Sequence, residues 1–123
     1  MDSQEFLSRC LLFDVETNEK GEIYGLGACF NGKKFVSPRG RKVGKELLGE
    51  FDAFGASAEF IAGHNILSHD LPRLREQDAT LAILRKPVVD TLYLSPLAFP
   101  ENPYHRLVKD LSLIHISEPT RPY

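Results

Sequence analysis

Long apolar runs are missing from this 123-residue chain. None approaches the roughly 18 residues that span a bilayer, so no membrane partner is expected. Cysteine is scarce, and both Cys10 and Cys29 sit in apolar, strand-like runs. With no sign of an oxidising compartment, they read as reduced core side chains of a cytoplasmic protein and not as a disulfide. Positive charge in excess is missing too, since the formal net charge is -2. That excludes a global basic field, so any contact with nucleic acid must be a local patch. The opening Met1-Asp2-Ser3-Gln4-Glu5 is acidic and polar, unlike a secretory leader. There is no internal repeat and no low-complexity segment. What is present, 42% hydrophobic and 26% charged residues, suits one small globular domain with one core.

The stretch Arg9 to Thr17 organises the rest. Leu11 to Phe13 read as a buried strand, although so short a run does not exclude helix by periodicity alone. In a strand, alternation puts Asp14 and Glu16 on one face. Two carboxylates side by side repel unless something positive lies between them. A hard divalent cation, Mg2+ or Mn2+, is the natural candidate. The plain alternative is a pair of exposed residues at a strand end.

Along the chain, Asn18 to Glu22 form a turn cluster and Ile23 to Phe30 a second strand. Gly25 and Gly27 within it mark a close backbone approach or a bulge. Asn31-Gly32 is a strong hairpin signal, and Lys33 to Val36 return as a third strand, completing an antiparallel meander. Ser37-Pro38-Arg39-Gly40 breaks the pattern. Val43, Leu47, Leu48, Phe51 and Phe54 then give helical spacing over Arg41 to Phe54. Lys33, Lys34, Arg39, Arg41, Lys42 and Lys45 form a basic cluster, either a phosphate-contacting patch or a solvated face. Glu59 to Gly63 read as a fourth strand, parallel to the first because a helix connects them. Ser68 or Asp70 caps the next helix, with Pro72 in its first turn. Ala79 to Leu84 read as helix, and Val88-Val89 as a fifth strand. Asp90 caps a short helix from Thr91 to about Leu97, which Pro96 limits; Pro100 and Pro103 punctuate a loop.

Asp70 follows the fourth strand much as Asp14 and Glu16 follow the first. Adjacent parallel strands bring all three carboxylates to their carboxyl ends, where open α/β sheets place ligands. Taken singly, Asp70 as a helix cap and Asn65 as a turn residue need no function. Taken together, the pattern favours a site.

Asp14-Val15-Glu16-Thr17 resembles the first motif of the DEDD (DnaQ-like) 3′–5′ exonuclease superfamily. Gly63-His64-Asn65-Ile66-Leu67-Ser68-His69-Asp70-Leu71-Pro72 resembles its second motif, with the longer Asn-to-Asp gap of family B DNA polymerases. Asp90-Thr91-Leu92 is similar to a tripeptide in relatives of the bacterial proofreading subunit. The wording of Asp90 to Asp110 resembles an exonuclease-like region fused to bacterial RecQ-type helicases. The resemblance implies an α/β, ribonuclease-H-like mixed sheet, the meander plus parallel strands, with flanking helices. It implies hydrolysis of phosphodiester bonds at single-stranded DNA or RNA 3′ ends, with two Mg2+ or Mn2+ ions. Asp14, Glu16 and Asp70 would be the catalytic metal ligands, with Asp14 bridging both ions; Thr17 and Asn65 would contact the substrate. His64 and His69 would pack or meet solvent, because Mg2+ prefers oxygen. A helicase module in the same parent chain is a further implication.

The superfamily has a fourth Asp, usually in His-x4-Asp or Tyr-x3-Asp. His105 to Asp110 matches the first spacing literally. It comes directly after the Pro-rich loop, where relatives have another helix, and reads as a decoy. Residues 111–123 resemble a translated transposase-type sequencing adaptor, the alternative being an edge strand over Leu113 to Ile116. The expectation is a partial exonuclease domain over residues 1–110, C-terminally truncated before its last motif, and followed by an artefactual tail. Such a piece is expected to bind metal poorly and to have little activity. The alternative function, from a different class, is a non-catalytic nucleic-acid-binding module of the same fold. A third is an α/β domain whose acidic residues are only caps.

Overall fold

The computed structural model describes residues 2–93. His105, Asp110, the loop prolines Pro100 and Pro103, the rest of the helix expected from Thr91, and the tail at 111–123 lie outside the described residues.

The described chain is α/β. Five strands form one mixed sheet: β1 (Cys10–Thr17), β2 (Ile23–Phe30), β3 (Lys33–Val36), β4 (Phe60–Gly63) and β5 (Val88–Asp90), in the order β3-β2-β1-β4-β5. The meander β1-β2-β3 is antiparallel, and β4 and β5 add to it in parallel. The β2–β3 hairpin turns on Asn31 and Gly32, at φ 51° and 80°, the positive values that an Asn-Gly turn requires. β1 is longer than Leu11 to Phe13, so Asp14 and Glu16 lie within it and not beyond it.

Alternation gives the sheet two unequal faces. Leu11, Phe13 and Val15 of β1 join Leu26, Ala28 and Ile61 in the main core. Helix α2 (Lys45–Phe54) covers that face with Leu48 and Phe51, and helix α3 (Leu71–Gln77) with Leu71 and Leu74. Phe51 stacks edge-on against Phe13, with ring centroids 5.6 Å apart, and also meets Phe35 at 5.9 Å. The opposite face holds a smaller cluster, Cys10, Leu12, Cys29 and Ala62, under Phe6 of helix α1 (Ser3–Ser8). Asp14 and Glu16 follow Cys10 and Leu12 on this second face.

Four details depart from the sequence reading. Helix α1 was not expected; Asp2 caps it by accepting from the Glu5 amide at 2.8 Å. α2 begins at Lys45 and not Arg41, because Val43 is spent on another contact: its amide donates to the Ile23 carbonyl at 2.8 Å and its side chain is buried. Ala79 to Leu84 is not an α-helix; a short 3-10 turn, Ala82–Arg85, stands there, pinned by Asp52 of α2, which accepts from the Ala82 and Ile83 amides at 2.9 Å. Neither Ser68 nor Asp70 caps α3 by side chain, since a π-helical turn, Ile66–Asp70, runs straight into it. Among the described residues no helix is long and apolar enough to cross a membrane.

Candidate functional site

The two carboxylates of β1 stand opposite glycines. Asp14 pairs with Gly27 and Glu16 with Gly25 across the antiparallel ladder. A Cβ placed on Gly25 would lie 3.1 Å from the Glu16 Cβ, so glycine leaves room for that side chain to lie across β2. Register then slips: Thr17 faces Ile23, leaving Tyr24 as an extra residue. This is the bulge that the glycine-rich strand suggested, and it turns Tyr24 toward the acidic side. The result is an open cavity of about 410 Å3 lined by Asp14, Glu16, Tyr24, Val36, Ser37 and Arg39, among others. Asp14 is only 8% exposed, whereas Glu16 is open to solvent.

Asp70 arrives from the other side of β1. β4 pairs with β1 only over Cys10 to Leu12, and the chain leaves the sheet at Gly63. Beyond that point the edge of β1 needs another acceptor. Asp70 supplies it: its Oδ2 accepts from the Val15 amide at 2.8 Å, between Asp14 and Glu16 in sequence. Its Oδ1 lies 2.8 Å from His69 Nδ1. Asp70 is fully buried. Burial pushes its carboxyl up to about 6, and the nearby Asp14 charge adds to the rise, against the hydrogen bonds from His69 and Val15. Asp70 and Asp14 thus feel each other's charge, while Asp70 is also a structural acceptor.

Asn65 adopts the left-handed conformation, φ 59°, which Asn tolerates better than most residues. Its amide donates to Asp90 Oδ1 at 2.7 Å, and the Leu67 amide to Asp90 Oδ2 at 3.0 Å. Asp90 therefore locks the β4 exit as well as capping its own turn through Leu92, 3.0 Å away. His64 is buried with its Nδ1 3.2 Å from the Thr91 hydroxyl. Thr17 ends β1 just past the bulge.

Carboxylate oxygens are the donors that Mg2+ and Mn2+ take, and Asp14 and Glu16 present theirs to one cavity. The donor chemistry fits such an ion. Among the described residues, however, no group of three or more His, Cys, Asp or Glu is drawn together closely enough to hold a metal as it stands. Members of the basic cluster have different neighbours. Lys42 is paired with Glu22 at 2.9 Å, Lys33 and Lys34 line a separate cavity beside Cys10 and Cys29, and Arg39 lines the acidic one. Sequence reasoning counted Arg39 within the basic cluster and Tyr24, with Phe30 and Phe35, among aromatics that could stack on a base but more often pack a core. It did not place Arg39 or Tyr24 beside the acidic pair, for which the tandem glycines opposite were the available signal. Compared with known proteins, the chain matches no protein-family model and no curated protein.

Proposed function

We propose that this chain carries a metal-dependent 3′–5′ exonuclease site of ribonuclease-H-like architecture, hydrolysing phosphodiester bonds at single-stranded DNA or RNA ends. The observation that supports it is the convergence on β1: Asp14 and Glu16 line one cavity, and Asp70 bonds to the amide between them. Asp14, Glu16 and Asp70 would hold two Mg2+ or Mn2+ ions. When bound, such ions supply activation of the attacking water and stabilisation of the leaving oxygen. The chain's own contribution is placement. Gly25 and Gly27 keep the floor of the cavity low, Asp70 fixes the Val15 backbone, and Asp90 fixes the turn that carries Asn65. Thr17 and Asn65 would bear on the substrate.

A second reading, a nucleic-acid-binding module without catalysis, is favoured by the engagement of Asp70 with Val15 and His69, which gives each of its oxygens a protein partner with no metal needed. The two readings separate in one assay. A 5′-labelled single strand is incubated with Mn2+ and with EDTA, using this chain and any longer protein that contains it. A ladder of shortened products in Mn2+, abolished by Asp14→Ala, is the expected outcome. Binding that needs no metal, with no shortening, supports the second reading.

A further inference from the structure

The segment from Ser37 to Val43 is tied down at both ends. The Ser37 amide donates to the Leu26 carbonyl at 2.9 Å, and the Leu26 amide donates back to the Ser37 hydroxyl at 3.0 Å. At the far end the Val43 amide donates to Ile23, its side chain is buried, and Lys42 is held by Glu22. Between these anchors Gly40 turns at φ 71°. The strap lies beside the acidic cavity, and Arg39 and Gly40 contribute to its wall. Of the six basic residues between hairpin and helix, Arg39 is the one that, among the described residues, lines this cavity. Tyr24, set out of the core by the bulge, is 39% exposed and lines it too.

A phosphodiester brought to Asp14 and Glu16 meets two negative charges. A cation on the cavity wall offsets that repulsion, and a guanidinium matches phosphate geometry with paired donors. An exposed aromatic ring beside it offers a base a stacking surface that does not depend on sequence. We propose that Arg39 and Tyr24 are substrate-binding residues that hold a terminal nucleotide in this cavity, the guanidinium on a phosphate and the phenol ring against the base. This rests on the nuclease reading of the cavity and adds the wall that grips the strand.

The test uses the full chain, thymidine 5′-monophosphate, and a 5′-labelled oligothymidylate in Ca2+ to allow binding without turnover. Both probes are expected to shift the NMR resonances of residues 23–27 and 37–40. Arg39→Ala and Tyr24→Ala should each weaken oligonucleotide binding about tenfold, while Tyr24→Phe recovers most of it and Arg39→Lys, which keeps the charge but not the paired donors, recovers only part. Circular dichroism checks that each variant is folded; should an alanine variant unfold, Arg39→Gln and Tyr24→Leu take its place. Wild-type binding with both variants within about twofold overturns the proposal and leaves the nuclease reading standing. Binding that depends on Arg39 and Tyr24, with no cleavage in Mn2+ by the chain or by any longer protein that contains it, upholds the wall and removes the nuclease. No binding of either probe overturns the wall, whatever the cleavage assay shows.

Discussion

At the scale of single residues, Asp70 serves two ends that pull apart. Its folded-state value of about 6 lies above the ordinary 3.8 because it is buried and Asp14 is near. Between those two values the folded chain holds the proton more tightly than the unfolded one. Stability from this group therefore falls as pH rises from about 4 to 6, and the full cost, on the order of 2–3 kcal/mol, is present above 6. Asp70→Asn removes the charge and keeps an acceptor for the Val15 amide. In urea unfolding, the variant should be more stable than wild type at pH 7.5, with the gain shrinking toward pH 4. A variant less stable than wild type at pH 7.5 would mean that the charge itself holds β1 in place. None of this was legible from sequence, where Asp70 looked equally like a helix cap. The bond that distinguishes the two spans 55 positions, and local patterns carry no record of so distant a partner.

At the scale of elements, the sheet exit after β4 is the tightest joint. A Cβ on Gly63 would stand 2.5 Å from the Ile66 Cγ2 and 2.6 Å from the Phe13 carbonyl oxygen. The second of these is backbone and has little room to move. Gly63→Ala should destabilise the chain by about 2–3 kcal/mol, read as a lower urea midpoint at unchanged slope; a midpoint within error of wild type would show that β1 and the π-helical turn separate easily. Elements defined by local chemistry were readable in advance: the Asn31-Gly32 hairpin fell at its expected bounds, and the bulge followed from the glycines of β2. Elements decided by distant partners were not. Val43 has helical spacing to Leu47 but is held by Ile23, and Ala82 to Arg85 take their shape from Asp52. Helix α1 was signalled only by Asp2 and Phe6, in a stretch whose polarity masked it.

At the scale of the whole molecule, the uneven covering of the sheet gives the acidic residues their setting. α2 and α3 seal one face, so Phe13 and Val15 are buried, and the alternate positions Asp14 and Glu16 come out on the face that the described residues cover least. The mixed sheet, its meander and its parallel extension were legible because strand alternation and connection length are written locally. That Asp14 and Glu16 share a cavity followed from the same alternation; that Arg39 and Tyr24 share it did not, because a bulge and a strap bring them there. The claim beneath the proposed function is that Asp14, Glu16 and Asp70 share one cation site. The most direct measurement is anomalous diffraction from a crystal grown in Mn2+. The expected result is a manganese peak about 2.1 Å from a carboxylate oxygen of Asp14, with Glu16 and Asp70 bound to the same ion or to a second one beside it, directly or through water. A peak elsewhere, or none at a manganese concentration that fills ordinary carboxylate sites, would contradict it.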